Sequence, residues 1–295
     1  DDAELQLFDG VARGGGDAAW SPAERWRFGG RVTGMNPVHL RPDLPGKLDF
    51  NFGAGGEGFA PGNLDFDVRD LRGTLRGTAA RGTGSVKLRG TTWSFAKVDV
   101  AAGGVRALLD GTLGETERDF TFRLEASDLG VLAPQSRGQL RARGRLRGTA
   151  QEPVLELEAT GRGLLHEGIG IDTLDADVDF DPRAGRSSKV RATARGLDAL
   201  GRKFERVALD LDGQSEKHKV NVDVRAPELS LRAAAEGRFD AGTWVGSWDR
   251  LDLSIGEQAS LALDGALAMR ASPSDGSVAG FCLRDALRDD SPARL

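Results

Sequence analysis

The chain has 295 residues, and its 40 lysines and arginines against 45 aspartates and glutamates give a formal net charge of −5 at pH 7, without the excess positive charge on which sequence-independent nucleic-acid binding depends. Glycine is enriched at 41 residues, but no Gly-X-Y period occurs and only 11 residues are proline, which excludes a collagen-like chain. The single cysteine, Cys282, excludes an intrachain disulfide and a multi-thiolate metal site.

The N-terminal part, residues 1–46, is predicted to contain irregular chain and the first strands of the fold. Its opening, DDAELQLFDG, has neither a methionine nor the charged and apolar regions of a signal peptide. No apolar stretch approaches the roughly 18 to 20 residues that a membrane-spanning helix needs. We therefore expect the chain to be a segment of a longer protein.

From residue 47 to residue 285 apolar and polar residues alternate, the period of a half-buried strand. In LDADVDFD, for example, Leu174, Ala176, Val178 and Phe180 alternate with aspartates. Glycine- and proline-containing stretches separate these runs and predict hairpin connections. At about one strand every 12 residues, we expect roughly 20 to 25 strands. The one helical period is short and lies around residues 283–287, and residues 286–295 are predicted to be a C-terminal tail.

The apolar face of such a sheet needs a second sheet, closure into a barrel, or a ligand to cover it, because the sequence supplies no amphipathic helix. Twenty strands at a spacing of about 4.8 Å would extend roughly 100 Å, and open sheets of that size usually curl. We predict an all-β fold in which residues 47–285 form a long antiparallel meandering sheet, curled into a U-shaped, β-taco-like trough with an apolar interior. The predicted lining consists of alternating aliphatic and aromatic residues: Leu48, Phe50, Phe52, Phe66, Val68, Leu88, Val98, Val100, Phe120, Phe122, Leu124, Leu140, Leu146, Leu155, Leu157, Leu174, Val178, Phe180, Leu209, Leu211, Val220, Val222, Val224, Leu229, Leu231, Leu251, Leu253 and Ile255.

The opposite face of the predicted sheet is charged. Arg141, Arg143, Arg145 and Arg147 share one face of a single strand, and Glu156 and Glu158 follow on the next predicted strand. Opposite charges on neighbouring strands stabilise an exposed antiparallel face, so we expect these two strands to form ion pairs.

Specific enzyme motifs are absent from the sequence. His166 and Glu167 do not extend to HExxH, and no GxSxG, Walker A or strand-GxGxxG-helix unit occurs. Ser94 and Lys97 match the SxxK spacing, but residues i and i+3 of a strand point to opposite faces. The aspartates between residues 175 and 181 are spaced as on a solvated strand face and not as in a calcium loop. His218, at a turn-to-strand junction, is expected to lie at the surface or to form a hydrogen bond. We expect no catalysis, no metal and no cofactor.

The segment from Leu129 to Asp181 resembles the repeating units of TamB-type translocation and assembly module proteins of the AsmA-like superfamily. The residues that carry the resemblance are Leu132 to Pro134, Gly138 to Leu140, Arg147 to Thr149 followed by Pro153, and the alternating run from Leu174. The segments NPVHLRPDLPGKLDFNF, GQSEKHKVNVDV, AGTWVGSWDRLDLS and GFCLRD extend the resemblance to most of residues 20–285.

The resemblance implies a middle segment of a lipid conduit in the periplasm of a Gram-negative envelope. The implied ligand is the acyl chains of phospholipids, carried between the inner and outer membranes in a hydrophobic groove in support of outer-membrane biogenesis. Implied partners are an Omp85-type outer-membrane barrel and an inner-membrane anchor, both reached through other parts of the full protein, and no nucleic acid is implied.

Two alternatives compete with the lipid conduit. One is a scaffold or chaperone module that offers sheet edges to outer-membrane proteins during insertion, by β-augmentation. The other is an extracellular β-rich adhesin domain, which would cover its apolar face with its own strands. Bound lipid separates the conduit from the first alternative, and a closed, lipid-free interior would favour the second.

Overall fold

The alternating sequence pattern forms strands along nearly the whole chain in the computed structural model, which describes residues 3–20, 24–58, 62–131, 133–199, 201–240, 242–257, 259–272 and 274–285. Within these ranges there are 21 strands and two short 3-10 turns, and no α-helix. The strand pairs whose register is described are all antiparallel. The predicted all-β antiparallel meander is therefore confirmed. The predicted tail, 286–295, lies outside the described residues.

The chain divides into two compact units, residues 1–150 and 151–295. In unit 1 each strand pairs with the next one along the chain, from β1 to β10. The strands are β1 (Ala3–Leu7), β2 (Gly10–Ala19), β3 (Arg25–Met35), β4 (Gly46–Glu57), β5 (Asn63–Leu75), β6 (Thr78–Arg89), β7 (Thr92–Ala102), β8 (Val105–Leu113), β9 (Arg118–Ala126) and β10 (Ser136–Gly148). The 3-10 turns are Pro37–His39 and Leu129–Val131.

Unit 2 is also a meander, and its last strands are interrupted. Its strands are β11 (Pro153–His166), β12 (Ile169–Phe180), β13 (Ser187–Ala199), β14 (Arg202–Gln214), β15 (Lys217–Ala226), β16 (Leu229–Asp240), β17 (Thr243–Ile255), β18 (Ala259–Asp264), β19 (Leu267–Ala271), β20 (Gly276–Val278) and β21 (Cys282–Asp285). One edge of β17 pairs with β16, and the other pairs with β18 near its end and with β19 near its start.

The helical prediction for residues 283–287 is wrong in its described part. Residues 283–285 belong to β21, which pairs with β18 so that Leu283 lies opposite Leu263. Pairing with an existing sheet edge overrides a local helical pattern of only one turn, because short helices are marginal without tertiary contacts. Residues 286 and 287 lie outside the described residues.

Bulges in unit 1 change which residues face the apolar side. Lys97 and Asp70 have positive φ, 51° and 55°, and the strand register shifts at each of them. The backbone N–H freed at Lys97 donates to Asp110 Oδ2 at 2.9 Å. Each bulge adds one residue to its strand, which bends the strand and moves the inward-facing positions from one parity to the other.

One cluster of buried apolar residues in unit 1 draws on strands that are not all neighbours. Val32 on β3, Leu48 and Phe50 on β4, and Ala80 on β6 form one cluster. Since β4 and β6 are separated by β5, their side chains meet only where the apolar face is locally concave.

We expect Gly111→Ala to destabilise the chain more than Gly77→Ala. Both glycines have positive φ, but a Cβ on Gly111 would lie 1.9 Å from the carbonyl oxygen of Asp119, whereas a Cβ on Gly77 would meet nothing within 4 Å. Gly77→Ala therefore carries only conformational strain, about 1 kcal/mol, and Gly111→Ala also displaces β9, for a total of about 3 kcal/mol. Urea titration of both variants measures the difference, and equal losses would contradict the close approach of β9.

Candidate functional site

The strand register places the predicted lining residues of unit 1 on one face of its sheet, because directly opposite residues in an antiparallel pair share a face. One row crosses six strands through Phe66, Val86, Phe95, Gly111, Phe120 and Leu146. A second row contains Val98, Leu109 and Phe122, and a third contains Val100, Ala107 and Leu124. Phe52 lies opposite Val68, and Leu140 lies opposite Ala126.

In unit 2 the strand register also places the predicted lining residues in rows on one face of the sheet. One row joins Leu157, Val178, Val190, Leu211, Val220, Ala235, Trp248 and Leu267. A parallel row joins Leu209, Val222, Ala233 and Leu251, and another joins Val224, Leu231 and Leu253. All predicted lining residues of this unit, including Leu155, Leu174, Phe180, Leu229 and Ile255, lie on this face. We call the two faces, one in each unit, the apolar faces.

Each apolar face lacks the burial of a closed core. Val100 and Ile255 are each 42 % exposed and Leu209 is 40 % exposed, and most other lining residues are half-buried. A sheet without a second layer leaves its apolar face open to solvent, which accounts for these exposed fractions. The apolar faces are therefore accessible to a ligand.

Glycines on the apolar faces let aromatic rings lie over the backbone. Gly111 sits between Phe95 and Phe120 in the register, and the two rings meet over it at 5.5 Å between centroids. Trp244 covers Gly237, where a Cβ would lie 2.5 Å from the indole. Aromatic rings of the apolar faces thus lie over strand positions that have no side chain.

Several residues on the apolar faces were absent from the predicted lining, among them residues beside bulges, where the alternation is interrupted. They are Val32, Leu71, Leu75, Trp93, Phe95, Leu109, Val190, Val207, Trp244 and Trp248. A change of parity in the sequence marks the bulge in β7: the apolar positions Trp93 and Phe95 are odd, whereas Val98 and Val100 are even.

A polar and aromatic cluster lies at one end of the apolar face of unit 2. His218 is only 2 % exposed, so its predicted surface position is wrong, whereas the predicted hydrogen bonding is confirmed. Trp244 Nε1 donates to His218 Nε2 at 2.8 Å, and His218 Nδ1 lies 3.0 Å from the carbonyl oxygen of Gln214. Phe239 stacks on the imidazole at 5.0 Å between centroids. A neutral ring with its proton on Nδ1 satisfies both hydrogen bonds.

The hairpin between β12 and β13 contributes further buried polar groups beside this cluster. Ser188 Oγ donates to the carbonyl oxygen of Asp181 at 3.1 Å, and both residues are buried. Hydrogen bonds from the Arg183 side chain lower the pKa of the Asp181 carboxyl below its usual value. The apolar face of unit 2 therefore ends at hydrogen-bonded polar groups on this side.

Ion pairs cover the faces opposite the apolar ones. Arg145 on β10 pairs with Asp119 on β9 at 2.8 Å, and Arg106 on β8 pairs with Asp99 on β7 at 2.7 Å. Hydrogen bonds from these arginines lower the pKa of both aspartates. The predicted ion pairs between β10 and the glutamates of β11 stay a prediction.

The other sequence motifs form no reactive constellation in the described ranges. Ser94 Oγ lies 3.3 Å from Thr112 Oγ1, and the bulge at Lys97 interrupts the alternation on which the interpretation of that pair depended. Three or more histidine, cysteine, aspartate or glutamate side chains never come together as metal ligands in the described part of the chain. No helix among the described residues combines the length and apolar character needed to cross a bilayer.

Comparisons with known proteins agree with the resemblance seen in the sequence. The family model described as the N-terminal domain of TamB matches residues 1–287, whereas the resemblance implied a middle segment of such a protein. The translocation and assembly module subunit TamB of Haemophilus influenzae is 24 % identical over 242 residues, which cover 80 % of this chain and 18 % of that protein. The chain thus spans less than a fifth of this relative. No solved structure matches the chain.

Proposed function

The chain belongs to the TamB family, and on this premise we propose that its apolar faces are segments of a lipid conduit between the two membranes of a bacterial envelope. In this proposal the chain is not an enzyme, and it binds acyl chains while phospholipids move through the periplasm. The observation that carries the proposal is the continuous row of apolar side chains that crosses the strands of each unit without a covering layer.

The energetics of burial support this role. Each methylene removed from water gains about 0.8 kcal/mol, so an acyl chain lying across several strands is held by many small contributions. Exposed apolar patches larger than a few hundred Å² are rare in soluble proteins unless they bind something. An aliphatic lining offers no directional contact, so it accepts acyl chains of different lengths and lets them slide.

The proposed role in the bacterial envelope rests on the assignment of the chain to its family. The Haemophilus influenzae relative is a translocation and assembly module subunit, which supports the proposal that this chain takes part in outer-membrane assembly. We further propose periplasmic placement, and membrane-protein partners that include an outer-membrane barrel of the Omp85 type. The chain contributes the lipid-binding surface to that assembly.

A photocrosslinker at Phe122 is expected to capture lipid, whereas the same group at Arg123 is not. Phe122 faces Leu109 and Gly144 on the apolar face, and Arg123 faces Leu108 and Arg143 on the opposite face. In unit 2 the matched pair is Val222 and Asp223. The chain is purified, irradiated and analysed by mass spectrometry for attached phospholipid. Equal labelling at both members of a pair would contradict a one-sided lipid surface.

A further inference from the structure

A cavity in unit 2 is lined mostly by residues of the charged face, the side of the sheet opposite the proposed lipid surface, and we propose that it binds a phosphate-bearing ligand. The cavity has a volume of about 430 Å³. Arg191, Arg206, Arg232 and Arg250 line it, and Ala208 supplies a short side chain among them. We call this cavity the arginine cavity.

The strand register concentrates positive charge beside the arginine cavity. Arg195, Arg206 and Arg225 lie directly opposite one another on β13, β14 and β15. Like charges in directly opposite positions destabilise a sheet, so this row does not serve folding. A bound anion between the guanidinium groups would remove the repulsion.

The carboxylates near the row form ion pairs with arginines other than Arg206 and Arg195. Asp210 lies 3.3 Å from Arg191, and Asp223 contacts Arg225 at 3.3 Å and Arg232 at 3.5 Å. Two aspartates therefore face four arginines in the cavity lining.

Arg250, the fourth arginine of the lining, hydrogen-bonds Asp252. Within the described part of the chain, Arg206 is therefore the lining arginine that has no carboxylate within ion-pair distance.

Arg206 supplies an unused donor. Its Nε is shielded from solvent and has no hydrogen-bond partner among the described residues. Neither Arg206 nor Arg195 has a carboxylate within ion-pair distance in the described part of the chain. The Arg206 Nε–H is therefore a donor without an acceptor, and no carboxylate of the described residues neutralises either guanidinium group.

The chemistry of guanidinium groups indicates which class of ligand the arginine cavity would bind. A planar guanidinium presents parallel N–H donors that match two oxygens of a phosphate, and hydrogen bonds between charged partners are the strong ones. Such a phosphate belongs either to a small soluble anion or to the headgroup of an anionic phospholipid. The site does not depend on the proposed lipid conduit, because it lies on the opposite face.

The test compares Arg206→Gln and Arg195→Gln with a matched control, Arg202→Gln, which removes an exposed arginine near the start of β14. The probes are inorganic phosphate and pyrophosphate by calorimetry, and vesicles of phosphatidylcholine with or without phosphatidylglycerol by flotation. We expect the unaltered chain to bind one probe class and Arg206→Gln to bind it at least about tenfold more weakly. Arg202→Gln should bind as the unaltered chain does.

Stability provides a second readout. Removing the central charge of the row relieves repulsion, so Arg206→Gln should keep or raise the melting temperature while it weakens binding. Binding of phosphate or pyrophosphate identifies a soluble ligand, and binding only of phosphatidylglycerol vesicles identifies a headgroup. The proposal is overturned if no probe binds, if all three variants weaken binding equally, or if Arg206→Gln binds normally.

Discussion

Val222→Asp is expected to abolish lipid binding by unit 2 and to leave the sheet folded. Val222 lies in a row between Leu209 and Ala233, and the exposure of Leu209 shows that this part of the face is open. In a closed core an unpaired carboxylate costs several kcal/mol, a large part of the 5 to 15 kcal/mol that usually stabilises a domain. On an open face the carboxylate stays hydrated in the lipid-free state. The free-energy cost of removing it from water therefore lowers the affinity for lipid and does not destabilise the fold.

Unit 1 offers a closely matched control for the same experiment. Leu109 faces Val98 and Phe122 on the apolar face, whereas Leu108, its neighbour, faces Asp99 and Arg123 on the charged face. Leu109→Asp should remove lipid from unit 1, and Leu108→Asp should retain it, although both variants add the same charge to the same strand.

Lipid content by mass spectrometry and melting temperature by circular dichroism decide between the models. Normal lipid content in a folded Leu109→Asp or Val222→Asp variant would refute the conduit. A large loss of melting temperature in the Asp variants would indicate a closed core.

The strand content of this chain was predictable because strand periodicity is a local property. Alternation at period 2 fixes both the secondary structure and the residues that share a face, as in the run from Leu174 to Phe180. The antiparallel meander follows from short glycine-containing turns between consecutive strands, which leave no room for a crossover. The aliphatic composition of the lining was readable for the same reason.

The bulges were not predictable in the same way, because a bulge is a relation between two strands. Lys97 is extra only relative to the register with β6 and β8, and its N–H is satisfied by Asp110 from the neighbouring strand. The parity change around it, from Phe95 to Val98, is visible in the sequence, but no local propensity says which residue is unpaired. Trp93 and Phe95 were consequently left out of the predicted lining.

The arginine row and the histidine cluster depend on register over longer distances. Arg195, Arg206 and Arg225 become neighbours only when three strands align. His218 is buried because Phe239 on β16 stacks on it and Trp244 on β17 hydrogen-bonds to it. A turn-to-strand junction is usually exposed, so the position of His218 in the sequence favoured a surface location. Its burial among hydrogen-bond partners is visible only in the structure.

His218→Phe is expected to lower the free energy of unfolding by about 2 to 4 kcal/mol. The substitution keeps an aromatic ring for stacking on Phe239 and removes both hydrogen bonds. It leaves Trp244 Nε1 without an acceptor and the Gln214 carbonyl without its donor. A polar group left unsatisfied on burial costs about 1 to 3 kcal/mol. His218→Gln can both accept and donate a hydrogen bond at this position, so it should lose only about 1 kcal/mol.

Urea denaturation monitored by tryptophan fluorescence measures these differences, since Trp244 itself reports on the cluster. His166→Phe is the control: the side chain of His166 is 64 % exposed, and a surface substitution of this kind usually changes stability by less than about 0.5 kcal/mol. If His218→Phe were as stable as the unaltered chain, the buried hydrogen bonds would contribute nothing to the fold. If His218→Gln lost more stability than His218→Phe, ring stacking on Phe239, which only His218→Phe retains, would contribute more to this end of the apolar face than the hydrogen bonds do.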